Sequence, residues 1–359
     1  MRTTNFRTGA LLAASILMLG ACGSDESSSA PSTDDVEETA ESAAPADSAA
    51  PADSAAPADS VGEAPSDVPV LDKKLRIGVG IDAAYAPFFV AEEQGLFEAE
   101  GLEDVELIQF ARGGEAVDAL GAGQVDLAGN SDTTTLTMMA SNPIFRALMV
   151  YQESGDYLKL VARPEIEDFS EIKKMGVVPG LSEYNVEIFV EDQGLSDVEY
   201  ISASPAEIPA LLDRGDIDAF ILWEPWPALA VELGAQIMGV TGDFGSSYVH
   251  WLVATEEYLA GEGNAEYAAA VARALAKAAE FVEADPQTTA VITEAAASVP
   301  IDQTLTAIDQ IDFGVRGFDE SDLESYEKQA AYLINRGLIE QSPDLGVVID
   351  RTFYVGADS

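Results

Sequence analysis

Cysteine and histidine are nearly missing from this chain: Cys22 and His250 are its only examples. A lone cysteine excludes an intrachain disulfide and any thiolate cluster for metal or redox work. A lone histidine excludes a multi-histidine zinc site and argues against Ser-His-Asp and Cys-His catalysis. Basic side chains are also few, 18 Lys and Arg against 64 Asp and Glu, giving a formal charge of −46. That balance repels phosphate backbones and anionic headgroups, so no nucleic-acid partner is expected and the surface reads as an acidic, solvated coat.

The apolar run Leu11–Leu19 is too brief for a membrane-spanning helix, which needs about 20 residues. Arg2 and Arg7 precede it and Gly20-Ala21 follow it, the basic, apolar and small-residue order of a secretion signal. A signal peptide is therefore expected over residues 1–21. Leu19-Gly20-Ala21-Cys22 resembles the lipobox of bacterial lipoproteins. That resemblance implies cleavage before Cys22, lipid attachment at its thiol and an extracytoplasmic protein anchored to the cell membrane. Residues 22–70 show no hydrophobic period, and Ala43–Ser60 is three copies of Ala-Ala-Pro-Ala-Asp-Ser. So little apolar area does not offset ordering entropy, and a disordered acidic tether is expected there.

From Leu75 the pattern changes to short apolar strands alternating with helical stretches. Strands are predicted over Leu75–Ile81, Val105–Phe110, Val125–Ala128, Phe145–Tyr151 and Leu158–Ala162. A second set follows Pro164, at Gly176–Val178, Val198–Ile201, Ile217–Leu222 and Gln236–Val240, before Trp251–Ala254 returns to the first lobe. Helices are predicted over Pro87–Glu100, Asp132–Met139 and Ser182–Gln193, and over most of the chain beyond Asn264. This alternation predicts an α/β fold of two lobes, with parallel sheets under helices, more than one crossing and a helical C-terminal third. Residues 71–160 and 251–359 form the expected first lobe and 161–250 the second. Ligands of open α/β sheets bind beyond the carboxyl ends of the strands, so a cleft between two such edges is the expected site.

Four helix starts follow strand ends, at Ala86-Pro87, Asp132-Thr133, Ser182-Glu183 and Glu224-Pro225. Their backbone N–H groups suit an anion, while Asp132, Thr133 and Ser182 also serve simply as caps. Tyr85, Phe88, Tyr151, Tyr184, Trp223, Trp226, Tyr248 and Trp251 lie at or beside these ends. Core packing accounts best for Phe88 and Trp251, whereas Trp223 and Trp226 divide evenly between packing and ligand contact. Asp82, Asp132 and Glu224 offer carboxylates that either cap and face water or grip an ammonium or hydroxyl. The expected ligand set is Asp82, Tyr85, Ala86, Phe88, Asn130, Ser131, Asp132, Thr133, Tyr151, Gly180, Ser182, Tyr184, Trp223, Glu224 and Trp226. Without an evident arginine fork at these loops, a neutral or zwitterionic organic ligand is favoured over a bare oxyanion. His250 reads as a hydrogen-bonded structural residue, and Gly113-Gly114 as a turn lacking the lysine of a P-loop. No catalytic residue, metal or cofactor is expected.

Four segments carry a resemblance: Ala86-Pro87-Phe88-Phe89 running on to Gly95-Leu96-Phe97 and Gly101-Leu102, Ala119–Ala128, Gly176–Ser182, and Ile217–Trp226 with its Trp223-Glu224-Pro225-Trp226. In that order they resemble the nitrate, sulfonate and taurine group of ABC substrate-binding proteins, the NMT1/THI5-like or SsuA-like family. The resemblance implies a type II periplasmic-binding-protein fold with two hinge crossings and an interlobe cleft. It implies a small-molecule ligand delivered to an ABC permease and ATPase, without catalysis; a monomer is expected. The Trp-Glu-Pro-Trp form is more similar to the sulfonate and taurine branch than to the branch binding a thiamine pyrimidine precursor. Two other classes stay open: an enzyme on this scaffold, for which only carboxylates are on offer, and a sensory binding protein acting through a partner.

Overall fold

In a computed structural model of the protein the described residues are 74–354. The expected signal peptide, Cys22, the tether and the extreme ends of the expected first lobe lie outside them. Ten strands form two five-stranded sheets. The first sheet holds β1 (Leu75–Gly80), β2 (Val105–Phe110), β3 (Leu127–Ser131), β4 (Phe145–Ser154) and β10 (Tyr248–Thr255). The second holds β5 (Lys159–Ala162), β6 (Lys174–Val177), β7 (Glu199–Ser202), β8 (Ala219–Leu222) and β9 (Gln236–Val240). Their orders are β2-β1-β3-β10-β4 and β7-β6-β8-β5-β9. The chain leaves the first sheet between β4 and β5 and returns between β9 and β10, so two segments cross between them.

Both sheets are mixed, which corrects the expectation of parallel sheets. β1 runs parallel to β2 and β3, and β6 to β7 and β8. β10 is antiparallel to β3 and β4, and β5 to β8 and β9. The reason lies in the crossings. A strand fed by a helical crossover enters parallel, whereas β5 and β10 arrive directly from the opposite sheet and run back against their neighbours. Apolar content reports that a strand is buried and not which way it runs.

The first sheet is covered on both faces. Leu127, Met149 and Leu252 share a core with Phe88, Phe89 and the helix Asn264–Ala284. Ala128, Val150 and Trp251 share another with Val117, Leu136 and Tyr326. A smaller core around Val161, Phe220 and Ile208 serves the second sheet. Each large side chain so buried contributes about 1.5–3 kcal/mol before ordering costs.

Two element ends differ from expectation in ways that shape the site. The helix expected over 87–100 is broken: it runs Ala86–Glu93 and restarts at Leu96–Ala99, because Gly95 takes φ 64. The third strand starts two residues later and runs to Ser131. Asp126 is drawn off by Arg76, accepting its backbone N–H at 2.9 Å and its guanidinium at 3.0 Å. Gly129-Asn130-Ser131 looks polar, yet this end of β3 is buried because it meets the cleft.

Candidate functional site

The carboxyl ends of strands from the two sheets meet. A cleft of about 260 Å³ opens beyond β1, β2 and β3 of the first sheet and β6 and β8 of the second, closed below by the start of β10. Asp82 follows β1, Arg112-Gly113-Gly114-Glu115 follow β2, and Asn130-Ser131 end β3. From the second lobe come Val178-Pro179, Leu181-Ser182 and Trp223, while Tyr248 and His250 form the floor. This is the carboxyl-edge placement that open α/β sheets favour.

Three helices begin at this cleft, Gly113–Gly121, Asp132–Ser141 and Leu181–Asp192, and none has a side-chain cap at its N-terminus. Their first N–H groups supply partial positive charge. Gly113 is required by crowding, since a Cβ there would lie 2.2 Å from Tyr85 Oη and 2.5 Å from Asn130 Oδ1. Gly180 precedes the third helix at φ 94, a conformation that L side chains avoid. Thr134 faces it across the gap: a Cβ on Gly180 would lie 3.0 Å from Thr134 Oγ1.

The floor is aromatic. The His250 ring lies 4.5 Å from Tyr248, 5.3 Å from Tyr85 and 5.5 Å from Tyr151, centroid to centroid. Tyr157 stacks on Tyr248 at 5.5 Å. Burial lowers the imidazole to about 3 and lifts the phenols of Tyr85 and Tyr248 far above 10, so all stay neutral. Asp82 sits beside them. Desolvation raises its carboxyl to about 6, opposed by the N–H of Ala84 at 2.9 Å. Asp82 forms no salt bridge among the described residues, so its charge faces the cleft unneutralised.

Of the expected set, Asp82, Tyr85, Asn130, Ser131, Ser182 and Trp223 line this cleft. Glu224 and Trp226 line an adjoining recess. Ala86 and Phe88 lie inside the first helix, fully buried in the core. Tyr151 lies beneath the floor, bonded to His250. Asp132 and Thr133 are buried behind the wall, where Asp132 accepts the Thr133 N–H at 2.6 Å and the Gln329 amide at 2.8 Å. Desolvation still lifts Asp132 to about 6. Gly180 sits at the rim, and Tyr184 packs on Tyr332. Glu224 is engaged already: Lys159 Nζ lies 2.6 Å from one oxygen and the Ala228 N–H 3.0 Å from the other. Ser182 Oγ accepts the Val178 N–H and donates to the Ile221 carbonyl, tying β6 to β8.

The cleft also contains residues outside the expected set: Arg112, Gly113, Gly114, Glu115, Asp118, Thr134, Met138, Val178, Pro179, Leu181, Tyr248 and His250. Two readings are corrected. Gly113-Gly114 opens a helix at the cleft wall instead of forming a turn, and Arg112 brings a guanidinium to loops read as lacking one, 3.2 Å from Glu115. Thr134 and Met138 had a findable signal, since positions four apart share a helix face.

The chain resembles proteins of known structure and name. Residues 70–297 match the NMT1-like family. A putative aliphatic sulfonates-binding protein of Bacillus subtilis (strain 168) is 27% identical over 174 residues, 45% of this chain. The chain spans about half of that relative's length, 52%. The aliphatic sulphonate binding protein SsuA of Escherichia coli superposes with a TM-score of 0.68 at 17% identity, over 80% of this chain and 95% of that one. The alkanesulfonate-binding protein SsuA of Xanthomonas axonopodis pv. citri, bound to MOPS, gives 0.64 at 17% identity, over 77% and 97%. These likenesses show the periplasmic-binding-protein fold with its two α/β lobes. With well over half of its residues matched, the chain belongs to the NMT1-like family.

Proposed function

We propose that this protein is the extracytoplasmic binding component of an ABC importer. It captures a small zwitterionic organic solute, an aminosulfonate or a close analogue, between its lobes and hands it to a permease and ATPase. Lipid on Cys22 holds it at the membrane, the tether of residues 22–70 gives the binding domain reach, and it works as a monomer without catalysis. The relatives named for sulfonates, one of them bound to the zwitterionic sulfonate MOPS, support the substrate class.

The observation that carries this reading is the arrangement of opposite charges in one cleft. Asp82, half-buried against Tyr85 and outside any salt bridge among the described residues, faces uncapped helix starts, Arg112, Ser131 and Thr134. An ammonium pairs with Asp82 over the aromatic floor, while an oxyanion takes the N–H groups and the guanidinium. Closure of the lobes is then favoured in proportion to the contacts ligand gains from both sides.

A thermal-shift panel tests this, with taurine and longer aminosulfonates, alkanesulfonates, nitrate, aromatic acids and pyrimidines. Binding to the folded state raises the melting temperature with the logarithm of ligand excess. Aminosulfonates are expected to give the largest shift. A panel in which they give none, or in which a pyrimidine alone does, removes the assignment.

A further inference from the structure

A second recess of about 350 Å³ adjoins the cleft. Asp82, Arg112 and Trp223 line both, so the two chambers are continuous past these three side chains. The recess is otherwise bounded by Ile81, Ala111, Trp226, Val299 and Pro300, from both lobes and from the turn after the helix Pro286–Ala297. Ile81, 44% exposed, lends this recess an aliphatic wall. Its second carboxylate, Glu224, is held by Lys159 and the Ala228 N–H. Charge is therefore available only at the doorway, and the interior offers apolar and aromatic walls.

We propose that the recess is a second subsite that takes the apolar tail of the same ligand. The oxyanion lies in the main cleft, the amine at Asp82 in the doorway, and an N-alkyl or N-aryl substituent between Trp223 and Trp226. The proposal rests on the zwitterion reading above and narrows it to N-substituted aminosulfonates. It explains why the Trp223-Glu224-Pro225-Trp226 segment places one tryptophan on both chambers and the other on the recess alone.

The test is calorimetry on the full chain with taurine and its N-methyl, N-propyl and N-hexyl homologues. Each buried methylene tightens binding about three- to fourfold, so affinity climbs along the series. Ala111→Trp, at an exposed position on the recess alone, fills the chamber and abolishes the climb while leaving taurine unchanged. Trp226→Ala removes a wall and reduces the climb. Equal affinity across the series, or Ala111→Trp weakening taurine and N-hexyltaurine alike, overturns the subsite and leaves the aminosulfonate reading standing. Failure of every homologue, taurine included, overturns that reading and the subsite with it.

Discussion

Tyr151 Oη lies 2.7 Å from His250 Nδ1 beneath the cleft floor, with both side chains shut away from water. The imidazole is the chain's only one, and a neutral ring surrounded by phenols carries no countercharge. Burial therefore lowers it to about 3. The unfolded chain takes up that proton near pH 6.5 and the folded one only near 3. Its contribution to stability is present above about 6.5 and is lost as pH falls towards 3. His250→Gln is expected to flatten the acid side of stability between those values, read as urea midpoints against pH. A parallel loss in both proteins contradicts the buried neutral ring.

Asp82 acts in the opposite direction. Its carboxyl, raised to about 6, ionises later in the folded chain than in the unfolded one. Its contribution is fully present below about pH 4 and is lost as pH rises through 6. Asp82→Asn keeps the bond from the Ala84 N–H, and is expected to stabilise the unliganded protein by up to roughly 3 kcal/mol at pH 7, with little gain at pH 4. The same variant weakens an aminosulfonate about 10- to 100-fold, the loss of one charge-assisted bond. A destabilised variant with unaltered affinity contradicts both statements.

Much of this was legible in residue order. β2 and β9 fall where apolar runs bounded by turns put them, and Asp82, Tyr85 and Trp223 follow from the rule that α/β sites sit past strand ends. The misses share a cause: one side chain often has two uses. Gly113 reads as a turn because its crowding against Tyr85 and Asn130 exists only once β1, β2 and β3 are aligned. Glu224 reads as a free carboxylate because Lys159 lies 65 positions away. Strand direction was hidden for the same reason, since pairing partners of β5 and β10 are set by the crossings and not by local pattern.

Lys159 and Glu224 meet at 2.6 Å with little solvent access on either side. Gln310 Oε1 takes a further Lys159 proton at 3.1 Å, linking the second sheet to the C-terminal helices. Removing one partner strands a buried charge. Lys159→Met and Glu224→Leu are each expected to cost about 3–5 kcal/mol in chemical denaturation, more than the double variant Lys159→Met/Glu224→Leu. Additive losses in that cycle contradict a coupled pair.

The helix Glu320–Asn335 is tied to the first lobe and grips the second. Gln329 donates to Asp132 at 2.8 Å, and Trp251 Nε1 donates to Tyr326 Oη at 3.1 Å. Near its far end Tyr332 meets Tyr184 edge-on at 5.2 Å, and Arg336 just beyond lies 3.5 Å from Glu183 and 4.8 Å from the Tyr200 ring centre. These contacts exist only while the lobes lie together, so they favour closure without ligand. Each is worth about 0.5–1 kcal/mol, and a shift of one or two kcal/mol changes a population ratio about 5- to 30-fold. Tyr332→Ala/Arg336→Ala is therefore expected to weaken ligand by about that factor and to enlarge the unliganded radius of gyration in solution scattering. Affinity and radius both unmoved mean that this end of the helix packs without holding the lobes.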